Sequence, residues 1–313
     1  MEEFREIFEK ELGEGFETSV KLDQFTGFKV GGVAPLFYRA RKIDDLVKAV
    51  SLSYKLKIPY FILGGGYNIV VSDEGFEGLV IKNECKNIAF SEDNSQVIVD
   101  SGVMLGQLIN SAASKDLGGL EFLFGIPGTV GGAVYNNAGA FSYEIGDFVK
   151  SVILLKPENN RMSIIKKDPK SMNFTYRNSI LKNGAKKTRF PMVILTIKLQ
   201  LVRRRRDEIL DIMQDNLIKK KEKQPLDERS AGSYFKNIGT EKEQTAGFLL
   251  DQVGMKKQRI GGASVSRKHS NFFINHKNAK ASEIKALADK AKELVKEKYD
   301  YDLEEEVEYI GKW

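Results

Sequence analysis

A chain of 313 residues, 42% hydrophobic and 29% charged, has the make-up of a globular protein with room for more than one core. No run nears the ~20 apolar residues that a bilayer span needs. The charged, helix-patterned start at 1–12 lacks the form of a signal peptide, so a cytoplasmic protein with no membrane partner is expected. One cysteine, Cys85, excludes an internal disulfide, and with only two histidines, His269 and His276, no metal is assigned; the net charge of +6 suits an anionic partner, either nucleic acid or a phosphorylated small molecule.

The spacing of Ile43, Leu46, Val47 and Val50 predicts a helix over 43–56, with Asp44 and Asp45 in the first turn, where the helix dipole favours them, and Pro59 beyond its end. The apolar run 60–63 reads as a buried strand that ends in Gly64-Gly65-Gly66. Cys85 reads as a small buried apolar residue. Further strands are predicted at 78–81, 96–100, 151–155 and 192–201, with an acidic turn at 91–95. Leu105, Leu108, Ile109 and Ala112 share one face of a helix over 105–115. A long polar helix over 203–223, containing Ile209, Met213 and Leu217, reads as a connection between domains. Its basic runs at 203–206 and 219–223 are interrupted by Asp207, Glu208, Asp211 and Glu222. That reads as a solvated surface, so no nucleic-acid partner is assigned. Glycine-rich loops follow around 231–239 and 261–263. A last helix over 282–298 carries the stripe Ile284, Leu287, Ala288, Ala291, Leu294 and Val295, with Ser282 as its cap, and 306–311 reads as a strand. Helices and strands do not alternate strictly, so the expected class is α+β rather than a doubly wound sheet.

Two glycine-rich segments carry the chemistry. One runs through Gly64, Gly65, Gly66, Tyr67 and Asn68; the other through Gly125, Pro127, Gly128, Thr129, Gly131 and Gly132 to Asn137 and Gly139. Bare backbone lets amide groups approach phosphate oxygens, so two such loops suit one pyrophosphate gripped from both sides. Neither is a P-loop, and neither has the G-x-G-x-x-G spacing of a Rossmann turn. Taken alone, each fits a tight turn that binds nothing, as most glycine clusters are.

The strings 63–81 and 119–147 resemble the flavin-binding signature of the UDP-N-acetylenolpyruvoylglucosamine reductase family. The likeness continues in order through 26–32, 174–179, 224–237, 259–275 and 303–307, and so covers nearly the whole chain. The short stretch between 179 and 230 resembles the compact subclass that lacks an extra loop over the substrate. The resemblance implies an FAD-binding domain of the vanillyl-alcohol-oxidase (PCMH) type in two parts, 1–86 and 87–203 (flavin region about 30–200), and a C-terminal α+β substrate-binding domain at 204–313. It implies bound FAD, NADPH as hydride donor, and a UDP-sugar whose enolpyruvyl group is reduced at its terminal methylene carbon. The oligomeric state is not set by the sequence, and a monomer is compatible with it.

By the same resemblance, Arg177 stabilises the charge that develops on the neighbouring carbon and its carboxylate, a role that suits a guanidinium. Ser233 supplies the proton, and Glu306, chosen from Glu304-Glu305-Glu306 by its flanking Leu303 and Val307, orients the developing enol acid. Lys221, Lys223, Lys236 and Asn237 are expected at the substrate. Four positions depart from the family pattern: Tyr67 for serine, Phe141 for tyrosine, Ile238 for proline, and Phe25 for a small polar residue or histidine. Three other readings remain open at this stage. They are a same-fold oxidase of a small hydroxy acid or alcohol, a non-catalytic UDP-sugar sensor, and a nucleic-acid-binding protein.

Overall fold

The structure, a computed structural model, describes residues 2–93, 95–158, 161–185 and 188–313; Met1 and Asn94, which belong to the expected first helix and the expected acidic turn, lie outside them. The class is α+β. The chain forms two compact units, one from 1–19, 35–65 and 78–218, the other from 20–34, 66–77 and 219–313.

In the first unit, strands Val33–Ala40 and Tyr60–Leu63 both pair in parallel with Leu79–Asn83 in a four-stranded sheet. Helix Ile43–Lys55 covers it with Leu46, Ala49 and Val50 fully buried, and the Asp45 carboxylate accepts from the Lys42 amide at its start. Cys85 lies in this core, and burial pushes its thiol up to about 12, which leaves it inert. A five-stranded antiparallel sheet carries the second core of the unit. Its central strands are Gln96–Asp100, Val149–Glu158 and Val193–Gln200. Helix Leu105–Ala113 packs there through Leu105, Leu108, Ile109 and Ala112, as the sequence predicts, and Ile209 and Met213 join it. The strands extend beyond the predicted 78–81 and 151–155, while the helices end short of 115 and begin only at Arg206.

The second unit packs helix Ala281–Tyr299 against a small sheet that includes Ala263–Val265 and Phe273–Asn275. The predicted stripe is buried at Ile284, Leu287, Ala288, Ala291 and Val295. The cap is not Ser282. The helix starts at Ala281, and the Asp73 carboxylate accepts from the Ala281 amide (2.7 Å), the Ser282 amide (3.0 Å) and the Ser282 hydroxyl (2.7 Å). Burial opposes ionisation of Asp73, but these donors and the Lys280 charge hold its carboxyl below the usual value. The final strand is Glu308–Ile310, shorter than 306–311, and it pairs in parallel with Ile69–Val71.

Candidate active site

In the first unit, the strand Tyr60–Leu63 delivers Gly64 beside Thr129. A Cβ on Gly64 would lie 2.7 Å from Thr129 Oγ1, so the start of the first glycine segment and the second segment touch. Thr129 is buried and caps the short helix Val130–Asn136, its hydroxyl accepting from the Gly132 amide at 3.2 Å. The amides of Val130 and Gly131 donate to the carbonyls of Val103 and Ser101. The first turn of this helix therefore spends its donors internally. Gly131 is glycine because a Cβ would meet Ser101 Cβ at 2.7 Å. Gly128 is different: its φ is +138°, and a Cβ there would meet nothing within 4 Å. Open, side-chain-free backbone beside a glycine-lined strand end fits the phosphates of a dinucleotide such as FAD.

Lys82, which sequence reasoning passed over, donates from Nζ to the Gly64 carbonyl. Burial lowers its pKa, with Glu84 acting the other way. A lysine at the end of the apolar run 79–81, on the same buried strand, was the signal that something polar needed it there.

Arg177 also belongs to the first unit. It sits in a tight turn closed by Thr175 and Asn178, which exchange backbone bonds at 3.0 and 3.2 Å. Its φ is +53°, a left-handed conformation uncommon for a residue with a side chain. Nη2 donates to the Gly139 carbonyl at 2.9 Å, and the guanidinium lies 5.1 Å from the centre of the Tyr176 ring. Gly139 opens the hairpin that leads to Phe141 and Ser142, both at positive φ, with Phe141 and Tyr143 exposed. Asn137 is fully buried, and its amide is engaged within the unit.

In the second unit, the segment carrying Ser233 runs between two others. On one side, the Glu306 amide donates to the Tyr234 carbonyl at 2.8 Å and the Lys236 amide to the Glu304 carbonyl at 2.9 Å. On the other, the Tyr234 amide donates to the Asn271 carbonyl, and the Asn271 side chain pairs with both backbone groups of Phe235 at 2.9 and 2.8 Å. The expected glycine-rich loop is thus partly extended backbone. The rings of Tyr234, Phe235 and Phe273 cluster with centroids 4.5–5.8 Å apart, Tyr234 stacked on Phe273 and Phe235 edge-on to Phe273. Asn271 is the second residue missed by sequence reasoning, a buried amide between Ser270 and Phe272.

The three glutamates are now distinguishable. Glu304 pairs with Lys236 at 2.6 Å, and Glu305 pairs with Lys292. The Glu306 carbonyl accepts from the Asn68 side chain at 3.1 Å, which ties the second half of the first glycine segment to the third predicted catalytic position. Tyr67 is exposed, and Gly66 is glycine because a Cβ would overlap the Phe25 carbonyl. Of the expected substrate lysines, Lys236 is mostly covered by its ion pair, whereas Lys221 and Lys223 are exposed at the end of helix Arg206–Lys223. The Asn237 side chain accepts from the Ala246 amide at 3.1 Å.

Residues 34–160 match the FAD binding domain family, and residues 224–310 match the UDP-N-acetylenolpyruvoylglucosamine reductase C-terminal domain. The UDP-N-acetylenolpyruvoylglucosamine reductase of Clostridium novyi is 38% identical over 95% of this chain and 93% of its own. The enzyme of the same name from Syntrophomonas wolfei is 36% identical over 98% of this chain and 99% of its own. The crystal structure of the reductase from Thermus caldophilus superposes with a TM-score of 0.76 at 31% identity, over 93% of this chain and 97% of that one.

Proposed function

We infer the function from one premise: the chain belongs to the UDP-N-acetylenolpyruvoylglucosamine reductase family. It is an FAD-containing, NADPH-dependent oxidoreductase that acts on a carbon–carbon double bond. It reduces the enolpyruvyl group of UDP-N-acetyl-3-O-(1-carboxyvinyl)-glucosamine to UDP-N-acetylmuramate in peptidoglycan synthesis. Its partner is this small UDP-sugar, and its compartment is the cytoplasm. Residues 1–86 and 87–203 form the two parts of the cofactor domain, and 204–313 the substrate domain.

FAD, when bound, would supply the two-electron relay from NADPH to the substrate; the backbone of Gly64, Gly65 and residues 125–132 would hold its pyrophosphate, with Gly128 giving the open backbone and Lys82 steadying the Gly64 carbonyl. As the terminal carbon of the enolpyruvyl group is reduced, negative charge moves to the adjacent carbon and its carboxylate. Arg177 meets that charge with a guanidinium already steered by the Gly139 carbonyl. Ser233 gives its hydroxyl proton to the adjacent carbon. A hydroxyl is a weak acid, but a carbanion-like enolate is a strong enough base to take its proton. Glu306 orients the enol acid. Lys236 balances the charge left near Ser233, and Lys221, Lys223 and Asn237 receive the diphosphate end, which the two exposed lysines can reach.

The observation that supports this reading best is the backbone bond from Glu306 to the carbonyl next to Ser233. It joins two motifs some seventy residues apart, the two that supply the proton and orient the acid. The test is an absorption spectrum of the purified protein. A yellow protein that NADPH bleaches and the enolpyruvyl UDP-sugar re-colours is the expected result. Re-colouring by oxygen alone, with the sugar inert, would point to a same-fold oxidase.

A further inference from the structure

We propose that Asn137 is a positioning residue for Arg177: its buried carboxamide pins the Arg177 turn to the end of the glycine-segment helix, so the segment that receives the dinucleotide also sets the direction of the guanidinium. This rests on the reading of Arg177 as the charge stabiliser. Asn137 closes the helix Val130–Asn136 with a left-handed φ of +47°, a conformation asparagine tolerates better than other side chains. It is 0% exposed, so it acts through other groups and not by touching a ligand. Both of its amide protons and its oxygen are engaged. Nδ2 donates to the Thr175 carbonyl at 3.0 Å and to Glu144 Oε2 at 2.6 Å, and Oδ1 accepts from the Gly146 amide at 3.0 Å.

Thr175 is one foot of the Arg177 turn. The other is Ser179, also 0% exposed, whose hydroxyl donates to the Tyr135 carbonyl at 2.7 Å. The two feet flank Arg177 by two residues on each side, and both stand on the last turn of the same helix. The bond to Glu144 reaches the hairpin strand that pairs with Gly139, whose carbonyl receives Arg177 Nη2. Asn137 therefore fixes both the backbone of the turn and the acceptor of the guanidinium. There is little slack, because a Cβ on Gly146 would lie 2.8 Å from Asn137 Oδ1 and 2.9 Å from the Phe174 ring. A left-handed Arg177 persists only where its surroundings over-determine it, and these bonds do so. This gives the residue a role other than direct contact with FAD.

The test follows the two half-reactions of the flavin-loaded enzyme separately by rapid mixing. Asn137→Gly keeps the left-handed backbone and deletes the amide. It is expected to slow re-colouring by the enolpyruvyl UDP-sugar roughly tenfold and to leave bleaching by NADPH within about twofold. Added to Arg177→Lys, it is expected to slow re-colouring further by less than about twofold, because two parts of one device do not multiply. Ser179→Ala removes the other foot and is expected to give the same selective loss, to a smaller degree. Equal loss in both half-reactions, multiplying effects in the double variant, or loss of flavin from both Asn137→Gly and Ser179→Ala would overturn the proposal. If Asn137→Gly yields no folded protein, Ser179→Ala decides alone. Wild-type re-colouring by Arg177→Lys would sink the reading of Arg177 itself, an outcome separate from an inert Asn137→Gly beside a slow Arg177→Lys.

Discussion

The Arg177 turn of the first unit and the Ser233 segment of the second are held in different ways. The turn is pinned by side-chain-to-backbone hydrogen bonds from Asn137 and Ser179 and carries a left-handed arginine. The Ser233 segment is held by backbone pairing on both sides and is anchored by the clustered rings of Tyr234, Phe235 and Phe273. A device of a few polar bonds sets direction finely and fails through small changes. One resting on an aromatic core resists small changes and fails with the fold. Loss of apolar packing should therefore register as stability in the second unit, and loss of single polar groups as catalysis in the first.

The largest effect expected is on stability. Phe273→Ala removes a fully buried ring that stacks on Tyr234 at 4.5 Å, and about 3–5 kcal/mol of stability should be lost in denaturant titrations. A loss under about 1 kcal/mol would mean that the aromatic core does not support the segment. Next comes Arg177→Lys, which keeps the charge but loses the planar fork. Re-colouring of reduced flavin should slow roughly 100-fold, about 2.7 kcal/mol of barrier, with the melting temperature little changed. A large fall in melting temperature with normal turnover would reverse the contrast.

Gly128→Ala separates conformation from space. At φ +138° a side chain costs about 1–3 kcal/mol of strain and also enters the open backbone proposed to receive phosphate. Flavin should be released more readily than from Gly132→Ala, whose Cβ would rest 3.4 Å from Thr129 Oγ1. Equal flavin retention in the two would remove Gly128 from the cradle. The smallest effect expected is at Asp73. Asp73→Asn should cost about 1 kcal/mol through the weakened cap of helix Ala281–Tyr299. Because the folded carboxyl titrates below its unfolded value, the difference from wild type should be full above about pH 4 and shrink as the pH falls through the depressed value. A difference that grows in acid would contradict the cap.

The helices were legible because a period of 3.6 marks their buried faces, and Leu46, Leu108 and Ile284 are buried as the pattern requires. The glycine segments stood out in the sequence as bare backbone suited to phosphate, but their assignment to a flavin and the choice of the three catalytic candidates came from family resemblance, since glycine clusters and a serine in a turn have many uses. What the sequence hid is long-range pairing. Ser282 looked like a cap because nothing local shows that Asp73, 209 residues away, takes that part. Alternation along 304–306 could not tell the glutamates apart, because Lys236 and Lys292, which pair with the first two, lie on other segments. Lys82 and Asn271 were visible as polar residues at the edges of apolar runs, but their partners, Gly64 and Phe235, were not.

The most direct measurement of the central claim is single-turnover flavin absorbance of Ser233→Ala, loaded with FAD and mixed first with NADPH and then with the enolpyruvyl UDP-sugar. Bleaching at the wild-type rate followed by failure to regain colour with the sugar is the predicted result. Recovery of colour at the wild-type rate, with the reduced sugar formed, would contradict the claim that the Ser233 hydroxyl supplies the proton on which this chain's chemistry depends.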